Sequence, residues 1–166
     1  SSSTMLHESA TFSSQIERTK GVASQLLDKY NLTSKDIIII ISNSGVNQAP
    51  IEAALYAKKR KSKVIGISSL KYSKKINKNK KLYQLSDLHI DNCGPRGDAI
   101  ISVNKYRVAP FSTIGGASII NSIISEVAYK LRDETPFPFY ISSNMPNSKA
   151  HNEKLFAKYR SRNPHL

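Results

Sequence analysis

Six consecutive residues, Ser42-Asn43-Ser44-Gly45-Val46-Asn47, combine two hydroxyls, two carboxamides and one glycine. They stand between a run of five isoleucines, Ile37–Ile41, and Pro50, which suits the first turn of a helix. A neutral donor set of this kind, at the C-terminal end of a strand, can cradle an anion. The glycine permits a tight turn, successive N–H groups converge, and the following helix adds the positive end of its dipole. Ser, Asn and Gly are also ordinary turn formers after any strand. On composition alone a plain turn is the preferred account. Its placement brings the cradle level with the turn, because open α/β sheets bind ligands outside the carboxyl ends of their strands.

The elements that must position this loop follow from periodicity. Residues 1–11 are polar and Ser-rich and are expected to be loose. Phe12, Ile16, Ala23, Leu26, Leu27 and Tyr30 recur at helical spacing up to Asn31. Asp36 to Ile41 is a β-branched run of the kind buried on both faces in a parallel sheet. A helix to about Arg60 should turn Ile51, Ala54, Leu55 and Ala57 inward. Strands are expected at Lys63–Ser68, near Asp87–Asp91 and at Pro138–Ser142, with Ile37–Ile41 central. A basic connector spans 71–81. Ala99–Val103 and Tyr106–Pro110 make a β-hairpin across Asn104-Lys105. Helices at 113–132 and near 149–162 complete the chain. Strands alternating with helices predict an α/β, doubly wound, Rossmann-like and mostly parallel sheet with a hairpin insertion near 99–110, one domain over 12–166.

Bulk properties narrow the function class. The longest strongly apolar run is Ile37–Ile41, far short of a membrane span. No N-terminal segment has the layout of a secretory signal, so a cytoplasmic protein without membrane contact is expected. The single Cys93 excludes an internal disulfide framework and a cysteine zinc site. The chain carries 25 Lys+Arg against 12 Asp+Glu, and no acid occurs from Ala53 to Ser86. Eleven cations fall between Lys58 and Lys81. Such a block can bind nucleic acid by counterion release. No nucleic-acid motif accompanies it and aromatics are sparse there, so a solvated face with a mobile loop is preferred. Asp91, Asn92, Gly97 and Asp98 gather oxygen ligands without the spacing of a calcium loop. A turn closed by its own Asx hydrogen bonds is the preferred account, with no metal expected.

The segment Ile39 to Ala54 is similar to the Ser-x-Ser-Gly-x-Thr loop and following helix of SIS (sugar isomerase) domains, the superfamily of phosphoheptose isomerase. Further matches run in order through Ile16-Glu17-Arg18 with Gly21, Ile67-Ser68-Ser69-Leu70 with Ser73, and Leu82 to Asp87. They continue through Ile90-Asp91-Asn92, Gly97-Asp98, Pro110 to Gly116, Ser143-Asn144, His151-Asn152 and Tyr159. Together they resemble a bacterial family of SIS-domain proteins along nearly the whole chain from about residue 12. The resemblance implies a phosphosugar-binding protein of isomerase type with no cofactor, often a homodimer. By it Ser42, Ser44 and Asn47 carry the phosphate on Gly45's turn, and Asn43 lines the sugar side. Ser68, Ser69 and Ser73 add hydroxyls, and Ser112 and Thr113, which also suit a helix cap, are possible further contacts. The small residues Gly115 to Ser118 would permit close packing between subunits.

Two departures bear on catalysis. Nothing before Phe12 matches the helix and Gly-His-Ser strand with which SIS domains begin, so the chain reads as N-terminally short. Residues 73–81 also lack the histidine that relatives carry after the second strand. Aldose–ketose isomerisation needs a base and an acid. Glu52, His151 and Glu153 are the candidates. The preferred account of Glu52 is a carboxylate at a helix start stabilised by the dipole, and that of His151 with Glu153 an ordinary helix start. His7-Glu8 carries little weight. A non-catalytic phosphosugar sensor stays open as the alternative.

Overall fold

The computed structural model describes residues 10–163 and 165. Residues 1–9, on which most of the expectation of a loose N-terminus falls, lie outside the described residues, as does His7-Glu8. The chain forms two compact units, one ending at Ala117 and the other beginning at Ser118.

The first unit opens with α1 (Ala10–Arg18) and α2 (Val22–Asp28). The periodicity predicted one continuous helix. It is broken because Gly21 adopts the left-handed conformation, φ 92°, and becomes the N-cap of α2. The strand β1 (Ile37–Ile41), helix α3 (Gln48–Lys59) and strand β2 (Lys63–Ser68) form a βαβ unit. Short helices α4 (Leu70–Lys74) and α5 (Leu82–Leu85) lead to β3 (Leu88–Asp91). The three strands make a parallel sheet in the order β1-β2-β3. Ile37 pairs with Lys63, Ile41 with Ile67, and Ser68 with Asp91. An α/β fold with a parallel sheet flanked by helices is therefore established.

The core lies between this sheet and α3. Ile40, Ile51, Ala54, Ala57, Val64 and Leu82 form one buried cluster, with Ile38, Ala53 and Leu85 packed against it. Strand alternation sends Ile38 and Ile40 to this face and Ile37, Ile39 and Ile41 to the other. These last three are 62%, 42% and 44% exposed, against 8% for Ile40. The expectation of a central strand buried on both faces is thus corrected: β2 is central and β1 is an edge of the described sheet. Leu55, expected inward, is exposed as well.

β4 (Ala99–Val103) and β5 (Tyr106–Pro110) form the predicted antiparallel hairpin, with Asn104 at φ 53° in its turn. It feeds α6 (Phe111–Lys130). The small residues at the start of α6 pack inside the first unit. A Cβ on Gly116 would meet Ile41 at 3.3 Å, and one on Gly115 would meet the Phe111 ring at 2.8 Å.

In the second unit, α6 ends at Lys130 and α7 (Ser148–Tyr159) follows. The strand expected at 138–142 does not form. Asn152 on α7 takes both backbone groups of Ile141. Its Nδ2 donates to the Ile141 carbonyl at 2.8 Å, and its Oδ1 accepts the Ile141 N–H at 2.9 Å. A side-chain amide thereby satisfies the groups a neighbouring strand would have taken, and Pro138 has no N–H for a ladder. No helix of the described residues is long and apolar enough to cross a membrane.

Candidate functional site

The loop between β1 and α3 is built in two layers, one of groups engaged in holding it and one of groups with bonding capacity left over. The holding layer begins where the sheet ends. The Ser42 N–H donates to the Ile67 carbonyl at 3.0 Å, and the Ser69 N–H to the Asn43 carbonyl at 3.0 Å. At Gly45, φ 62°, the chain turns back over β2. The Gly45 carbonyl accepts the Leu82 N–H at 2.8 Å, and the Ser73 hydroxyl donates to the Ser44 carbonyl.

Ser68, Ser69 and Ser73 were expected to offer hydroxyls to a ligand. All three are 0% exposed, and their hydroxyls are engaged with protein partners. Ser69 Oγ donates to the Gly94 carbonyl at 2.6 Å and accepts the Tyr72 N–H as the N-cap of α4. Ser68 Oγ lies 2.8 Å from His89 Nε2. Burial holds the His89 imidazole below its ordinary range, outweighing the opposing pull of Asp91. A chain placed under the loop must satisfy its polar atoms there, and serine does so in the least volume. These residues support the loop from beneath.

Asn43 is held in the same way. Its Nδ2 donates to the Pro95 carbonyl and to Asp98 Oδ1, both at 3.2 Å, and its Oδ1 accepts from Asn92 at 3.1 Å. Asp98 also accepts the Ser112 N–H at 2.7 Å and the Ser112 hydroxyl at 2.6 Å. Asp98, and not Ser112 or Thr113, therefore caps the start of α6, and Ser112 donates inward. The turn before it is closed as Asx turns: Asp91 Oδ1 accepts the Cys93 N–H and Asn92 Oδ1 the Gly94 N–H, both at 2.9 Å. Sequence reasoning missed Asp98, Asn92 and His89 as loop supports. The only signal for Asp98 was its place in a turn-rich stretch ahead of a helix.

The second layer is what the loop leaves uncommitted. Among the described residues, no acceptor takes the N–H of Ser44, Val46, Asn47, Gln48 or Ala49. Asn47 is the N-cap of α3, yet its carboxamide makes no capping bond. The Ser44 hydroxyl has no partner among the described residues, and the Ser42 hydroxyl only accepts, from the Gly45 N–H at 3.3 Å. Ser42, Ser44 and Asn47 are all partly exposed. Unsatisfied N–H groups at the start of a twelve-residue helix, beside two free hydroxyl protons and a carboxamide, are the kind of neutral donor set that can receive an anion.

Glu52 is elsewhere engaged. Its Oε2 accepts the Gly21 N–H at 2.7 Å, and its Oε1 accepts the Ser24 N–H at 2.9 Å and the Ser24 hydroxyl at 2.6 Å. Burial raises its affinity for a proton, but the bonds from Ser24, Gly21 and Gln48 outweigh that and hold the carboxyl below its ordinary value. Glu52 thus caps α2 from another helix, an arrangement suited to an ionised carboxylate and unsuited to a proton-accepting base. His151 and Glu153 lie on α7 in the second unit. His151 Nε2 is 2.9 Å from the Phe139 carbonyl, which makes Nε2 the protonated nitrogen, and Glu153 is exposed.

A family model described as SIS domain matches residues 1–69, a stretch that contains β1, the loop and α3. A UPF0309 protein of Brucella anthropi is 44% identical over 165 residues, covering 98% of this chain and 68% of its own length. UPF0309 proteins of Brucella canis and Brucella melitensis are each 41% identical over 167 residues, covering 99% of this chain and 69% of theirs. With that identity along almost all of its length, and with the SIS-domain match falling on the segment that contains the Ser42–Asn47 loop, the chain belongs to the UPF0309 family.

Proposed function

We propose that this chain binds a sugar phosphate, with the phosphate on the Ser42–Asn47 loop. The observation that carries the reading is the division of the loop's polar groups. Asn43, Ser68, Ser69 and Ser73 are committed to holding it. The Ser44 hydroxyl, the Asn47 carboxamide and the N–H groups of Ser44, Val46, Asn47, Gln48 and Ala49 are left for a ligand. The phosphate takes the N–H groups and the Ser44 hydroxyl, so that negative charge lies at the start of α3. The sugar extends from the loop past Asn43. A SIS-domain match supports a phosphosugar over inorganic phosphate as the ligand.

Isomerase chemistry on such a ligand moves a proton between adjacent carbons and needs a base. With Glu52 engaged as a cap, that role falls to His151 or Glu153, in a homodimer or larger assembly. The second reading is a non-catalytic phosphosugar sensor, and the engagement of Glu52 favours it. A cytoplasmic setting suits either, since phosphosugars are made and used there and Cys93 is a free, exposed thiol.

The test is calorimetric titration with hexose, heptose and amino-sugar phosphates beside their unphosphorylated parents. Ser44→Ala should weaken a sugar phosphate by about 1–2 kcal/mol, the loss of one hydrogen bond to a charged group. Equal affinity for a sugar and its phosphate would sink the assignment. Deuterium uptake into the bound sugar in heavy water separates isomerase from sensor.

A further inference from the structure

The same edge of the sheet carries a strand of cations that a single phosphate does not use. Residues 70–82 leave β2 after Ser69 and return at Leu82, and both ends are tied to the anion loop. The Ser69 N–H and the Ser73 hydroxyl hold the carbonyls of Asn43 and Ser44, and the Leu82 N–H holds the carbonyl of Gly45 at 2.8 Å. Between and beside these ties lie Lys71, Lys74, Lys75, Lys78, Lys80 and Lys81, all exposed except the half-buried Lys81. Among the described residues none of the six forms an ion pair, whereas Arg60 pairs with Asp28 and Lys63 with Asp87.

No carboxylate on the strap offsets this charge, since no acid occurs from Ala53 to Ser86. The acid that touches it is Asp91, whose Oδ1 is already taken by the N–H groups of Leu70 and Cys93. Six like charges on so short a segment repel one another. Anchoring that segment to the ligand loop at both ends keeps the repulsion where an incoming anion would relieve it. The phosphate in the loop is held by neutral donors and needs none of these lysines.

We infer that the ligand of the Ser42–Asn47 loop carries a second anionic group, a phosphate or a carboxylate, which the Lys71–Lys81 strap receives. The inference rests on the phosphosugar reading and narrows its substrate class to sugar phosphates that carry a second anionic group.

The test titrates the full chain with fructose 6-phosphate, fructose 1,6-bisphosphate and 6-phosphogluconate at about 50 and about 300 mM KCl, between which the Debye length falls roughly 2.5-fold. At low salt the two ligands with a second anionic group should bind at least about tenfold tighter than fructose 6-phosphate. Their relative affinities show whether the second group is phosphate or carboxylate. The triple variant Lys74→Ala, Lys75→Ala, Lys78→Ala should bring the ratio to within about twofold and leave fructose 6-phosphate unchanged, and arginine at the same positions should keep it. A wild-type ratio below about twofold, or equal weakening of all three ligands by the triple variant, overturns the inference and leaves the phosphosugar reading standing. Failure of all three to bind overturns both. Tight, steeply salt-dependent binding of an RNA oligonucleotide, with no gain from the second anion, overturns it in favour of a nucleic-acid strap.

Discussion

Replacing Gly45 by alanine tests whether the buried serines hold the anion loop. Two costs arise at once. The residue sits at φ 62°, where a side chain costs about 1 kcal/mol or a little more. The new Cβ would also lie 2.9 Å from Ser68 Oγ and 3.0 Å from both Ser68 Cβ and Ser73 Oγ. Neither serine can yield freely. Both are fully buried, with Ser68 Oγ held by His89 and Ser73 Oγ by the Ser44 carbonyl. Forcing a methyl group into such a contact costs about 1–3 kcal/mol. The total, about 2–4 kcal/mol, corresponds to a fall in Tm on the order of 10 °C for a chain of this size. Thermal melts followed by circular dichroism read the stability, and titration with a sugar phosphate reads the loop. The double variant with Ser73→Ala separates the two costs, because removing one crowded oxygen should recover part of the loss and give non-additive energies. A Gly45→Ala protein with unchanged Tm and unchanged affinity would refute the reasoning.

Glu52→Gln should cost about 1–2 kcal/mol at neutral pH, because α2 loses its charged cap. Bonds from Ser24, Gly21 and Gln48 outweigh burial and hold the Glu52 carboxyl below the ordinary carboxylate range, so its contribution is complete at neutral pH and is lost as pH falls through the lowered folded value. Wild type and variant should therefore converge in acid, and a constant difference from neutral pH to strong acid would contradict the capping role. Asn43→Asp puts a second carboxylate where Nδ2 now lies 3.2 Å from Asp98 Oδ1, and it should weaken sugar-phosphate binding more than Asn43→Ala in parallel titrations. Asn152→Ala leaves both backbone groups of Ile141 without their partner, and amide exchange should show protection lost at Ile141, with a cost of about 1–2 kcal/mol.

The alternation of strand and helix around Ser42–Asn47 was legible because it is local. Isoleucine runs, Gly45 and Pro50 each state a backbone preference within a few residues. The hairpin was legible for the same reason. What each polar group does was not, because that depends on partners far along the chain. Glu52 meets Gly21 and Ser24, and Asp98 meets Asn43, across distances no period records. A serine under the loop and a serine on it look alike in sequence, so Ser68, Ser69 and Ser73 were grouped with Ser42 and Ser44. The strand at 138–142 was misread because its composition is right for a strand, while Asn152 had already supplied the pairing.

The open side of β1 has a consequence for how the protein behaves in concentrated solution. Among the described residues β1 has one strand partner, and Ile37, Ile39 and Ile41 are exposed along it. An unpaired edge of β-branched residues is a template for pairing with another copy, and five isoleucines without a charge or proline among them make an adhesive one. The net charge of +13 opposes such edge-to-edge pairing by a repulsion that salt screens. Solubility should accordingly fall as ionic strength rises, so the cationic surplus serves colloidal stability too: low salt disperses the protein and high salt lets the isoleucine edges meet.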